Sequence, residues 1–196
     1  TCKKGQGLGE IHQNLELALG KAYLKNGDTG NASEIFKKTV YDGDNLSEAT
    51  LLLSYIQSIS DKEAAKTTLG STSPSDKWKI YFDEFSDVLG TLDSDSKYNA
   101  TKLARVFINN GYPHLAVSTL EPIETEIVEY PEGVYFLGRA YLEVGEYDKA
   151  ITELNKAATL GSLESDVFWA MARAYLQKND LNSALDCYSK ALGYQG

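Results

Sequence analysis

The sequence predicts an all-α fold, a helical solenoid built from antiparallel helix pairs, and three observations predict it. The only arginines of this 196-residue chain, Arg105, Arg139 and Arg173, stand 34 residues apart. On the same spacing LARVFINNGYPHLAVSTL (103–120) aligns with LGRAYLEVGEYDKAITEL (137–154) and with MARAYLQKNDLNSALDCY (171–188). Within each block, small and large apolar residues alternate across a central turn, the pattern that lets neighbouring helices approach and interlock.

The first eleven residues, TCKKGQGLGEI, read as a polar, glycine-rich flexible tail, followed by two repeats over 12–72. LGKAYLKNGDTGNASEIF (19–36) follows the common template. LSYIQSISDKEAAKTTL (53–69) begins 34 residues after it and is one residue short in its turn. Each first helix carries a large residue (Leu19, Leu53, Leu103, Leu137, Met171), then a small one (Gly20, Ser54, Ala104, Gly138, Ala172). Three positions on comes an aromatic on the same face, Tyr23, Phe107, Tyr141 or Tyr175, replaced in repeat two by Gln57.

The turn slots hold Gly27, Asp61, Gly111, Gly145 and Asn179, residue types that tolerate the left-handed conformation ending a helix. Each second helix then pairs an alanine (Ala32, Ala65, Ala116, Ala150, Ala184) with a large residue (Phe36, Leu69, Leu120, Leu154, Tyr188). Between the two blocks, residues 73–96 read as an inserted helix and linker. Trp78, Phe82, Phe85 and Leu89 of SDKWKIYFDEFSDVLG (75–90) fit one helical face, and TLDSDSK (91–97) is a solvated connection. Those aromatics are expected in the core, a docking role being the alternative. Three further repeats occupy 97–196, with Pro122 ending its helix early and leaving EPIETEIVEY irregular.

These slots, recurring together over 34 residues, resemble the tetratricopeptide repeat, a helix–turn–helix module. The resemblance covers residues 12–70 and 97–193. It departs from the pattern at the early tryptophan slot, occupied by Ala100, Val134 or Phe168, and in the missing closing proline of most repeats. It implies a right-handed superhelix whose first helices line a concave groove that takes extended peptides.

By that resemblance Arg105, Arg139 and Arg173 form a ladder along the groove, with Lys21 in the equivalent slot of repeat one and Tyr55 interrupting the series. Four residues before the arginines come Thr101, Tyr135 and Trp169, and four after come Asn109, Glu143 and Gln177, on the same helical face. Tyr135–Arg139 and Trp169–Arg173 are therefore candidate cation–π pairs. Such a surface suits an acidic segment or a chain-terminal carboxylate. No lysine stands among Thr101, Tyr135 and Trp169, so the family's best-known carboxylate-binding pattern is not reproduced. Helices about 8–10 Å apart and an extended strand rising about 3.3 Å per residue call for acidic groups at about every third ligand position. The competing reading is a duplicated structural residue, with Arg139 paired to Glu143 or to Asp166 of the next repeat.

Composition limits the other classes. Hydrophobic content of 42% is ordinary for a globular chain, and a net charge of −9 argues against nucleic acid or an anionic membrane as partner. No stretch approaches 18 consecutive apolar residues. His12 and His114 stand alone, so neither a metal site nor a catalytic constellation is expected, and no cofactor or enzymatic activity either. GQGLG (5–9) lacks the preceding strand of a phosphate loop. DSDSKYN (93–99) places Lys97 and Tyr98 where a calcium loop needs a ligand and a glycine. The sequons at Asn31, Asn45 and Asn99 carry meaning only in a secreted eukaryotic protein.

Cys187 reads as a small buried thiol. Cys2, before a polar glycine-rich stretch, resembles the start of a mature bacterial lipoprotein and is the candidate lipidation site, although the preceding Thr1 is unusual there; a plain tail is the alternative. A lipid on Cys2 would anchor the protein outside the cytoplasm. The end, ALGYQG, carries no polar capping helix, so a continuing chain or self-association through that end is expected. The function expected is a protein-interaction scaffold for an acidic peptide, with a structural assembly component as the alternative.

Overall fold

The structure, a computed structural model, describes residues 2–92, 94–161 and 164–193, with side chains from Gly9 onward and excepting Glu164. Among these residues every regular element is helical. Two compact units divide the chain between Leu92 and Asp93.

The first unit contains α1 (Cys2–Lys25), α2 (Thr29–Lys38), α3 (Gly43–Ser58), α4 (Lys62–Gly70) and α5 (Asp76–Thr91). α1 pairs with α2 and α3 with α4, while α5 packs on both α3 and α4. The start of α1 corrects the expectation of a flexible tail over 1–11: the helix runs from Cys2. No proline or turn signal interrupts the chain between Cys2 and Ile11, and the three glycines there only weaken the helix. The small-to-large register is direct. A Cβ on Gly20 would lie 2.4 Å from the Phe36 ring, so only glycine lets α1 and α2 close to this distance.

On α5, Phe82, Phe85 and Leu89 are buried, and Tyr55 meets Phe85 edge to face with ring centroids 4.5 Å apart. These aromatics are core. Trp78 is half-buried, and its indole nitrogen has no hydrogen-bond partner.

The second unit contains α6 (Ser96–Asn109), α7 (Pro113–Leu120), α8 (Pro131–Val144), α9 (Tyr147–Thr159), α10 (Glu164–Gln177) and α11 (Leu181–Gly193). Successive helices pair as α6/α7, α8/α9 and α10/α11, and α8 also lies against both α6 and α10. Pro122 stops α7 as expected: a short 3-10 turn, Glu121–Ile123, follows, and the chain is irregular up to Tyr130. Gly138 faces Leu154, where a Cβ would sit 2.8 Å from Leu154 Cγ and 3.2 Å from its backbone nitrogen. Cys187 is buried, and burial pushes its thiol upward.

The turns show why one repeat is short. Gly27, Gly111, Gly145 and Asn179 have positive φ, between 62° and 90°. Each lets the residue after it donate its N–H to a carbonyl five residues back, as Glu146 does to Tyr141 at 2.9 Å. Asp61 is a correction: its φ is −144°, and its carboxylate caps α4 by accepting from the Ala64 N–H. It corresponds to the capping Asp28, so the residue missing from repeat two is the left-handed one. Its turn is accordingly tighter, with the Asp61 N–H bonded to Gln57 only four residues back.

Candidate peptide-binding face

In the second unit Arg105, Arg139 and Arg173 stand on α6, α8 and α10, the three first helices, which lie side by side. Each follows a buried small residue, Ala104, Gly138 or Ala172, and therefore emerges at the border of the packed stripe. Arg105 is exposed; Arg139 and Arg173 are half-buried.

Both cation–π contacts form. The Arg173 guanidinium lies 5.0 Å from the Trp169 ring, and that of Arg139 lies 5.8 Å from Tyr135 and 6.0 Å from Phe136. The two aromatics differ in availability. Trp169 is 51% exposed, whereas Tyr135 is 7% exposed. Burial raises the Tyr135 hydroxyl pKa, and neighbouring Arg139 pulls in the opposite direction. Asn109 and Gln177 are exposed at the last positions of α6 and α10.

The ion pair at this face differs from either pairing expected for Arg139. Arg173 Nη1 donates to Glu143 Oε1 at 2.8 Å, joining α10 to α8. Helical side chains lean toward the N-terminus, so Arg139 turns back to Tyr135 and Phe136 and leaves Glu143 to the adjacent helix. In the first unit Lys21 is likewise engaged, in an ion pair with Glu48 that ties α1 to α3.

Beside Arg105 the structure adds a cavity of about 220 Å³ that the sequence reading missed. Tyr98, Lys102 and Arg105 line it from α6, and Tyr130, Glu132 and Phe136 from the start of α8. Thr101 also lines it, with its hydroxyl donating to the Lys97 carbonyl at 2.8 Å. Lys102 lies 4.1 Å from the Tyr98 ring. One signal was present: Lys102 occupies the slot that holds Phe136 and Ala170 in the next two repeats, so a cation replaces an apolar residue there. The side chain of Cys2, the candidate lipidation site, lies outside the described residues. No described helix is long and apolar enough to cross a membrane.

Helix pairs that repeat small-against-large contacts, with first helices side by side, define an α-helical repeat protein. Residues 17–41, 131–160 and 165–196 match the family model of the tetratricopeptide repeat, so the chain carries tetratricopeptide repeats in those three regions. The matches fall on the first, fourth and fifth helix pairs. Solved structures of MamA align with the chain. One, MamA from residue 41 to the end from Desulfovibrio magneticus RS-1, is 17% identical with a TM-score of 0.49, over 93% of this chain and 94% of that one. Another MamA crystal structure is 22% identical with a TM-score of 0.48, over 90% and 94% of the two chains. Comparison with curated proteins gave no match. Tetratricopeptide repeats are protein-interaction modules, and their presence supports a protein-interaction scaffold role for this chain.

Proposed function

We propose that the first-helix face of the second unit binds an extended acidic segment of a partner protein. The observation that supports this most is the unequal engagement of the arginines. Arg173 holds Glu143, while no carboxylate among the described residues lies within 4.0 Å of Arg105 or Arg139. Two guanidinium groups on adjacent helices, one beside a cavity and one over aromatic rings, are suited to successive ligand carboxylates. Trp169 supplies an exposed apolar face, and Asn109 and Gln177 supply amides for the ligand backbone. Arg173 joins when a ligand carboxylate displaces Glu143.

Charge-assisted hydrogen bonds contribute about 1.5–3 kcal/mol each before ordering costs, so affinity on the order of micromolar is expected. The test is calorimetric titration with a peptide carrying glutamate at every third position. The double variant Arg105→Gln/Arg139→Gln should weaken binding by tenfold or more, and an unchanged isotherm would contradict the reading.

A second reading has its own observation. Leu181, Leu185 and Leu192 are 63%, 68% and 68% exposed along α11, an apolar stripe suited to self-association at the C-terminal end.

A further inference from the structure

α1 carries an apolar stripe of its own. Leu15 is 65% exposed and Leu19 is 45% exposed, with Ala18 and Ala22 exposed beside them. The repeat spacing identifies this surface. Leu15 occupies the slot of Val167 on α10, and Leu19 that of Leu137 on α8 and Met171 on α10. Those three are 0%, 0% and 4% exposed. α8 packs against α7, and α10 against α9, the second helix of the pair before it. The stripe on α1 is thus the surface that a first helix presents to a preceding second helix, here without one among the described residues.

α11 presents the converse surface. Leu181 and Leu185 occupy the slots of Tyr147 and Ile151 on α9, which are half-buried, and α9 packs against α10. On α11 the same slots are open and leucine fills both. The described residues therefore hold both halves of an inter-repeat contact, one on α1 and one on α11.

We propose that α11 of one copy takes α1 of a second copy, in the position that α10 takes on α9. This inference rests on the self-association reading above and names its other surface. The contact is heterologous, since each copy uses a different face toward each neighbour, so copies add head to tail. Burial of two leucine rows supplies the driving force, at about 25 cal/mol per Å² of apolar surface.

The test uses sedimentation equilibrium of the 196-residue chain up to near-millimolar concentration. Leu15→Glu and Leu185→Glu both alter exposed positions, and circular dichroism checks that each folds. Wild type should form species heavier than its 21.6 kDa monomer, and each variant alone should weaken association at least tenfold. An equimolar mixture should recover a dimer, because one intact α11 face meets one intact α1 face. A wild type that stays monomeric overturns both the inference and the self-association reading. If Leu185→Glu abolishes association and Leu15→Glu leaves it unchanged, α11 self-associates but α1 is not its partner. Failure of the mixture to recover a dimer also overturns the head-to-tail contact.

Discussion

Arg173 and Glu143 form a 2.8 Å ion pair between neighbouring first helices, and this pair separates one arginine of the series from the other two. Both side chains are about one-third exposed. An ion pair in such a setting contributes only about 0.2–1 kcal/mol and weakens with salt. Arg173→Gln should therefore lower the urea midpoint slightly at low salt and hardly at all at high salt. Arg105→Gln should leave the midpoint unchanged at either. Midpoints are the appropriate readout because repeat arrays need not unfold in two states.

Gly138→Ala pits two effects against each other. Alanine favours the helix over glycine by about 1 kcal/mol, but its Cβ would sit 2.8 Å from Leu154 Cγ and 3.2 Å from a backbone nitrogen. Overpacking of this kind costs about 1–3 kcal/mol, and the backbone cannot yield as a side chain can. The variant should be less stable by roughly 1 kcal/mol, measurable as a fall in thermal midpoint.

The turn at Asn179 allows a sharper comparison. Its φ is 62°, a conformation that costs most L-residues about 1–2 kcal/mol. Asn179→Ala should destabilise by about 1 kcal/mol, while Asn179→Gly should be close to neutral. Equal losses from both would show that the asparagine side chain, not the backbone conformation, matters there.

Glu153 gives the fold a defined pH dependence. It is buried on α9, and burial raises its pKa above the ordinary 4.5, with Lys156, bonded at 2.7 Å, opposing the rise. A carboxyl whose folded pKa is raised binds its proton more tightly when folded, so it favours the fold as pH falls through the raised value toward about 4.5. Glu121 acts in the opposite sense. The Tyr141 hydroxyl donates to it at 2.8 Å and lowers its pKa, a contribution lost as pH falls below about 4.5. Glu153→Gln should remove the gain that develops as pH falls toward about 4.5, flattening the urea midpoint over that range. An undiminished gain would place its source elsewhere.

Much of this architecture was legible because the repeat spacing fixes equivalent slots. Gly20 against Phe36, Gly138 against Leu154, and the Trp169–Arg173 stacking all follow from positions along one helix or across one turn. The inserted α5 was visible because Phe82, Phe85 and Leu89 share a helical face. What the spacing could not supply was competition between neighbours. Glu143 lies four residues from Arg139, an ordinary helical pairing distance, yet it bonds Arg173 because Arg139 is drawn back over two rings. The cavity beside Arg105 needs the start of α8 brought against α6, a contact that depends on the irregular 121–130 segment. Asp61 was misread because a one-residue deletion can be placed on either side of it.

The two tryptophans allow the central claim to be tested directly. Trp169 stands exposed on the proposed binding face, and Trp78 lies on α5 in the first unit. In a nitrogen–proton correlation spectrum each indole N–H gives its own signal. On titration with the glutamate-spaced peptide, the Trp169 signal should shift progressively to saturation while that of Trp78 stays in place. A peptide that binds by calorimetry but leaves the Trp169 signal unmoved would contradict the account.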